Sequence, residues 1–138
     1  MSSITTCPSC GQKNRAPVTA AGHLRCAACH TDLAWIVDAG DDDFTDAAAS
    51  TNLVLVDLWA PWCGPCRAVA PAVERAATEF AGRLKVVKVN VDEAPGVSSR
   101  FRVQGIPALF LLRDGQPIAE QVGAVPADRL LDWVREHL

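Results

Sequence analysis

The sequence lacks the runs of residues that mark membrane-spanning and nucleic-acid-binding proteins. Its most apolar run, LVLVDLWA, is far shorter than the roughly 20 residues that cross a bilayer, and Asp57 lies within it. No basic run stands out, and the formal net charge is −3. We therefore expect neither a membrane nor a nucleic acid as a partner.

The N-terminal MSSITTCPSC also lacks the basic and apolar regions of a secretory signal. This predicts a cytoplasmic protein, whose thiols are kept reduced. In that compartment, closely paired cysteines more often bind metal or do redox chemistry than form structural disulfides. All six cysteines are paired, each pair with two intervening residues: Cys7/Cys10, Cys26/Cys29 and Cys63/Cys66.

The chain divides into two regions that differ in apolar periodicity. Residues 1–34 show little apolar periodicity and are predicted to be loops, and a segment this short needs a metal or a disulfide to fold. Residues 35–138 predict the order β-α-β-α-β, a connecting segment, then β-β-α. The expected fold class is α/β, a central mixed sheet with helices on both faces, preceded by a small module.

Local patterns in the second region support this order. LVLVDLWA has the length and continuous apolarity of a strand buried on both faces. After Cys66 the apolar residues recur every three or four positions, which predicts a helix. We expect Pro71 to kink this helix and Gly82 to end it. Asp114-Gly115 predicts a hairpin turn between the last two strands.

The central cysteine pair lies in WAPWCGPCR, where a buried strand ends and a helix begins. The free N–H groups and positive dipole end of a helix stabilise a thiolate. This placement favours Cys63 as an exposed nucleophile and Cys66, one turn further on, as the resolving thiol. The alternative is a zinc half-site, which needs two more ligands. Residues 31–138 offer only His137 and carboxylates besides this pair, so a redox role is favoured.

Five segments together resemble the thioredoxin family, in this order and spacing: LVLVD, WAPWCGPC, VVKVNVD, GIPAL and VGA. The resemblance covers about residues 36–138. It implies a thioredoxin fold and a thiol-disulfide oxidoreductase that reduces protein disulfides. Gly64-Pro65 stands between the cysteines, where related oxidases and isomerases usually have a histidine, which favours a reductant.

The resemblance also implies roles for single residues. Asp57 matches a buried carboxylate that relays a proton to or from Cys66, and Lys88 matches its partner. Pro107 matches a cis-proline that faces the active-site disulfide. The positions implied to contact substrate are Trp62, Gly64, Pro65, Ile106, Pro107 and Gly123. The implied partners are disulfide-containing proteins and an NADPH-dependent thioredoxin reductase. No bound organic cofactor is expected.

The outer cysteine pairs form the string C-x2-C-x15-C-x2-C, which lies within the range of zinc ribbons. Four thiolates complete the tetrahedral shell of Zn²⁺ and leave no position for water, so a structural zinc is predicted. The ligands are Cys7, Cys10, Cys26 and Cys29. Two further redox pairs are the alternative, and His23 and His30 are alternative ligands. A zinc ribbon before such a domain resembles the thioredoxin-2 type of bacteria.

Two hypotheses about function therefore follow. The favoured one is a disulfide reductase with a zinc-ribbon-like module over residues 1–34 and a thioredoxin domain over residues 35–138. The other is a zinc-dependent holdase or binding module with secondary redox activity. Because the second region has a sheet and helices of its own, we expect it to fold and to reduce disulfides without zinc.

Overall fold

The computed structural model describes residues 3–19 and 22–138. Seven strands and four helices occur in these residues: β1 (Ser3–Thr6), β2 (Lys13–Ala16), β3 (Trp35–Asp38), α1 (Phe44–Ala48), β4 (Leu53–Trp59), α2 (Gly64–Glu79), β5 (Leu84–Asn90), α3 (Pro95–Arg100), β6 (Ala108–Arg113), β7 (Gln116–Val122) and α4 (Ala127–His137). No helix in this part of the chain has the length and apolarity needed to cross a membrane.

Five strands form one mixed sheet in the order β3-β5-β4-β6-β7. Strands β3, β4 and β5 are parallel to one another, and β6 is antiparallel to both β4 and β7. The turn at Asp114-Gly115 joins β6 to β7, as predicted. The α/β fold with a central mixed sheet is therefore confirmed.

Strand β4 runs through the middle of the sheet and is buried on both faces. Its residues Val54, Val56 and Leu58 share one apolar cluster with buried residues of α1 and α3. Leu53 and Leu55 point to the other face, where they share a cluster with residues of α2 and α4. This double burial explains the continuous apolar run in the sequence, because both sets of alternating side chains face a helical layer.

Helix α2 begins at the central cysteine pair and continues through Pro71 to Glu79. Its buried residues recur at the predicted three- and four-residue steps, from Val69 and Val73 to Ala77. Gly82 follows the helix end with φ +87°, and a Cβ there would lie 2.6 Å from Asp32 Oδ2. A side chain at position 82 would therefore collide with the first region of the chain.

The prediction that residues 1–34 are loops is wrong for two segments. Strands β1 and β2 pair antiparallel, with Ser3 opposite Ala16 and Thr6 opposite Lys13. Sequence gave no clear signal, because the strands have four residues each and the buried positions of β2 are Asn14 and Ala16. A polar residue on the buried face of a short strand hides the period-two pattern.

The first region packs on the sheet face that carries α1 and α3. Five of its buried residues belong to the same apolar cluster as Trp35, Val37 and Phe44 of the second region. They are Cys7, Ala16, Leu24, Cys26 and Leu33. The first region thus lies beside the edge strand β3, and the two predicted regions share one core.

Candidate active site and metal centre

The central pair forms a disulfide where β4 gives way to α2. Cys63 is the N-cap of α2, and its Sγ accepts the backbone N–H of Cys66 at 3.1 Å. Gly64 and Pro65 form the exposed first positions of the helix. Because this N–H has no partner within the helix, the Cys63 sulfur is the group best placed to carry negative charge.

Both cysteines of the pair are buried, although the sequence predicted an exposed Cys63. Their exposed fractions are 3% for Cys63 and 4% for Cys66. Both pack with Ala60, and Trp59 and Ile106 lie against this small cluster. Ala60 and Trp59 belong to the local motif, whereas Ile106 comes from a loop more than 40 residues away in sequence, so the motif alone could not reveal this part of the burial.

That loop brings the other predicted contact residues to the disulfide. The Ile106–Pro107 peptide bond is cis, as the resemblance implied. Cys63 Sγ lies 3.8 Å from the Ile106 carbonyl oxygen. Gly123 donates its N–H to the Pro107 carbonyl at 2.8 Å, which ties the end of β7 to the loop. Ile106, Pro107 and Gly123 therefore gather on one side of the cysteine pair.

Two exposed apolar side chains flank these residues. Trp62 is 68% exposed, and its Nε1 donates to Asp92 Oδ2 at 3.0 Å. Val122 is 62% exposed and directly precedes Gly123. The sequence-based set omitted Val122, although its place beside Gly123 was a usable signal. We call the set Trp62, Ile106, Pro107, Val122 and Gly123 the active-site rim.

Arg67 is a second residue that the sequence-based set omitted. Its Nη1 donates to the Pro61 carbonyl at 2.5 Å, across the turn that contains the two cysteines. Its N–H also bonds the Cys63 carbonyl at 3.3 Å. The second bond is the ordinary main-chain bond of a helix, but the first ties the Arg67 side chain to Pro61 and places a positive charge beside the turn, which is visible only once the turn is folded.

Asp57 lies in β4 and is 1% exposed. Burial raises the pKa of its carboxyl to about 6, and the nearby charge of Lys88 lowers this pKa only in part. Lys88 is its register partner on β5. Within the described chain, Asp57 Oδ1 has no hydrogen-bond partner. A carboxyl with this pKa changes its protonation state close to neutral pH.

The orientation of Asp57 follows from the alternation along β4. Leu53 and Leu55 occupy the same face of the strand as Asp57, and both pack in the cluster that contains α2. Cys66 lies in the first turn of α2 and is the first buried residue of that helix, close to the end of β4. The carboxyl thus points to the layer that carries Cys66.

The four outer cysteines come together in the first region. Their Sγ atoms all lie within 4.8 Å of one another. Cys7 and Cys29 approach to 3.6 Å, and Cys10 and Cys26 to 3.5 Å. Zinc–sulfur bonds of about 2.3 Å in a tetrahedron place the sulfurs about 3.8 Å apart. The cluster therefore has the ligand number and the spacing that a tetrahedral metal ion requires.

Two similar turns shape this cluster. In one, Gly11 donates its N–H to the Cys7 carbonyl at 2.9 Å, and in the other His30 donates to the Cys26 carbonyl at the same distance. Gly11 has φ +79° and His30 has φ +64°. His30 therefore occupies the place that Gly11 takes in the first turn. In the described residues, the metal-capable cluster contains cysteines alone.

Asn14 supports the cluster from strand β2. Its Nδ2 donates to Cys26 Sγ at 3.5 Å, and its Oδ1 accepts the N–H of Ala27 at 2.9 Å. Backbone N–H groups, that of Cys29 foremost, lower the pKa of the Cys26 thiol to about 6. Against the lowering effect of the Gln12 backbone, hydrogen bonds to Cys26 and Cys29 raise the pKa of the Cys10 thiol to about 12. Thiolates are the metal-binding form of cysteine, so the hydrogen bonds at Cys26 favour a cation there. Sequence analysis overlooked Asn14.

The raised pKa of Asp57 predicts a particular pH dependence of stability. The folded protein binds more protons than the unfolded chain between pH 3.8 and about 6, so its stability falls as pH rises through that window. Asp57→Asn should therefore raise the free energy of unfolding above pH 6 by up to about 3 kcal/mol, with no gain below about pH 4. Urea titrations at several pH values measure this.

The matched control is Asp42→Asn in the exposed turn before α1. This variant should leave the pH dependence of stability as it is in the wild type. A gain for Asp57→Asn that stays constant from pH 4 to pH 8 would contradict the assignment of the buried charge.

Comparison with known proteins agrees with this geometry. A sequence model of the thioredoxin family matches residues 36–136. Thioredoxin of Haemophilus influenzae is 40% identical over 107 residues, which cover 77% of this chain and all of that protein. Thioredoxin 1 of Synechococcus elongatus is 51% identical over 85 residues, 62% of this chain and 79% of that protein. The chain belongs to the thioredoxin family, and it is a thiol-disulfide oxidoreductase whose disulfide-forming pair is Cys63 and Cys66.

Proposed function

We propose that the protein reduces disulfide bonds in other proteins, with Cys63 as the nucleophile and Cys66 as the resolving thiol. The observation that carries this assignment is the hydrogen bond from the Cys66 N–H to Cys63 Sγ at the start of α2. It stabilises negative charge on the Cys63 sulfur and not on that of Cys66. Because Cys63 and Cys66 are both buried, a substrate reaches Cys63 through the active-site rim.

The exchange has two steps. The Cys63 thiolate attacks one sulfur of the substrate disulfide, forming a mixed disulfide and releasing the other substrate sulfur as a thiolate, which takes up a proton. Cys66 then loses its proton and attacks Cys63 Sγ, and the second substrate sulfur leaves. The substrate gains two electrons, and Cys63 and Cys66 end as the disulfide.

The rim supplies the binding surface for the substrate. Trp62, next to Cys63 in sequence, and Val122, next to Gly123, offer exposed apolar area. The Ile106–Pro107 segment offers its backbone to an extended substrate chain, and Gly123 holds that segment in place. Gly64 and Pro65 complete the surface beside Cys63. A surface built of backbone and small apolar contacts suits many protein substrates.

Asp57 acts as the proton acceptor for Cys66 when the mixed disulfide is resolved. Its pKa of about 6 leaves it ionised at neutral pH, and its face of β4 looks towards α2. Lys88 keeps the carboxyl from being neutralised by burial alone, because its charge lowers that pKa. Asp57 and Lys88 together thus set the proton affinity beneath the disulfide.

The oxidised protein is returned to its dithiol form by a thioredoxin reductase that draws on NADPH. This role rests on family membership, since the chain itself has no dinucleotide-binding motif. The site of action is the cytoplasm, where the reducing conditions keep Cys63 and Cys66 as thiols.

The four outer cysteines hold one structural zinc ion in a module over residues 1–34, ahead of the thioredoxin domain over residues 35–138. The four sulfurs fill a tetrahedral shell, so no position is open for water or substrate. The thiolates of Cys7, Cys10, Cys26 and Cys29 would hold the ion, and the ion would supply folding free energy to a segment with little apolar core of its own.

The order of attack is tested with single serine variants. Cys63→Ser should abolish reduction of a protein disulfide such as that of insulin and should form no mixed disulfide. Cys66→Ser should instead accumulate the covalent intermediate, since the resolving thiol is missing. Intact-mass analysis of the trapped species reads out both. Stable adducts on Cys66 in the Cys63→Ser protein would reverse the assignment.

The role of Asp57 is tested by the rate of resolution. Asp57→Asn should slow release of substrate from the mixed disulfide by roughly 10²-fold, the lower end for lost general-base catalysis, because water replaces the carboxylate in part. Stopped-flow fluorescence between pH 5 and pH 9 separates attack from resolution. Asp42→Asn is the control, and an unchanged resolution rate in Asp57→Asn would remove Asp57 from the mechanism.

The division of the six cysteines is tested by metal content. The wild-type protein should contain one zinc ion, and Cys7→Ser or Cys10→Ser should lose it while keeping disulfide reduction measurable. Cys63→Ser and Cys66→Ser should keep the zinc. Elemental mass spectrometry of the purified proteins measures this. Zinc that disappears with Cys63 or Cys66, yet survives loss of Cys7 and Cys10, would overturn the division.

A further inference from the structure

Lys85 of strand β5 is a fully buried charged residue outside the active site. Its exposed fraction is 0%. It alternates along β5 with Val87 and Val89, so it points into the core beneath α1. Burying an ammonium group is costly unless its protons are all well bound. A lysine in this position therefore needs a structural explanation.

The acceptors of Lys85 come from the two predicted regions of the chain. Its Nζ donates to the Val18 carbonyl at 2.6 Å and to the Ala47 carbonyl of α1 at 2.7 Å. It also lies 4.4 Å from the centroid of the Trp35 ring, within the range of a cation–π contact. Lys85 thus connects the first region, helix α1 and the start of β3 at one point.

Neighbouring contacts hold the same segment of the first region. Trp35 Nε1 donates to the Pro17 carbonyl at 2.9 Å, one residue before the acceptor of Lys85. Ser3 Oγ donates to the Ile36 carbonyl at 2.9 Å. Main-chain atoms of residues 17 and 18 are therefore bound by two side chains of the sheet, and β1 is bound to the edge strand.

The cysteine cluster brings together the two ends of the segment that contains Val18, the residue whose carbonyl Lys85 binds. Val18 lies between Cys10 and Cys26, whose sulfurs are 3.5 Å apart. When all four thiolates hold one ion, Cys10 and Cys26 are joined through it, which limits the conformations open to Val18. The Val18 carbonyl is then held within reach of Lys85. Without the ion, Val18 is free to leave.

We propose that metal binding in the first region stabilises the five-stranded sheet, and that the hydrogen bond from Lys85 to the Val18 carbonyl transmits this effect. This inference rests on the proposed metal site but not on the proposed reduction of disulfides. Loss of the metal releases the Val18 carbonyl and leaves Lys85 with one acceptor in an apolar layer. The sheet then weakens at β3 and β5, where Trp35 and Lys85 lie.

This arrangement bears on the expectation that residues 35–138 fold on their own, which stays a prediction. The first region covers the edge strand β3 and supplies an acceptor to a charge buried in the second region. A chain without residues 1–34 would expose that edge and leave Lys85 short of an acceptor. The metal site is then part of the stability of the catalytic domain.

The test uses the full-length protein with and without zinc, with its thiols kept reduced. Hydrogen exchange of the β3 and β5 amides is followed by mass spectrometry in the wild type, Lys85→Met and Lys13→Met. Methionine is unbranched and apolar, is only one atom shorter than lysine, and has no donor. Lys13 is exposed on β2 and provides the same substitution as a control.

Chelation of zinc should speed exchange at β3 and β5 by about tenfold or more in the wild type and in Lys13→Met, since a hydrogen bond to a charged group is lost. In Lys85→Met the effect of chelation should fall to less than about threefold, with one zinc still bound before chelation. Lys85→Gln, which is as short as methionine but keeps a neutral donor, should lie between them and serves if Lys85→Met does not fold.

Equal exchange in zinc-loaded and zinc-free wild type would overturn the proposal, as would a full effect of chelation in Lys85→Met. A wild-type protein without zinc affinity would overturn it together with the metal site. Disulfide reduction is assayed on the same zinc-loaded samples. Its absence would count against the proposed function alone, because the exchange result does not depend on turnover.

Discussion

The burial of β4 between two apolar layers is the constraint on which the other features depend. With Val54, Val56 and Leu58 on one side and Leu53 and Leu55 on the other, the strand has a fixed direction and register in the sheet. Its end then delivers Cys63 to the N-terminus of α2, where a free backbone N–H meets the sulfur. The chemistry of the pair follows from this junction of strand and helix.

Two charged side chains are buried in the same sheet, and their surroundings differ. Asp57 lies on the α2 face, where its raised pKa lets it exchange a proton near neutral pH. Lys85 lies on the opposite face, where two carbonyls and an aromatic ring bind it. The first charge is incompletely satisfied and suits proton transfer, whereas the second is well bound and suits a structural tie.

The four-cysteine region is built into the fold and is not merely attached to it. Cys7 and Cys26 lie in the same apolar cluster as the side chains beneath α1, and Lys85 holds the loop between the cysteine pairs. The four-cysteine cluster therefore shares its apolar contacts with Trp35 and Val37 of β3. The active-site rim is formed by other elements, the loop at Pro107 and the end of β7.

The sequence by itself determined the order of the elements, the separation of the cysteines into four and two, and the placement of Cys63 at a helix start, because these depend on short-range spacing and apolar periodicity. Only the tertiary structure decided the burial of both active-site cysteines, the positions of Val122 and Arg67 near them, the β1–β2 hairpin and the contacts of Lys85. Each of these depends on contacts between segments far apart in the chain, such as Lys85 with Val18 and Cys63 with Ile106. The sequence around Lys85 does not indicate which groups accept its hydrogen bonds, because the acceptors are main-chain carbonyls and every residue has one.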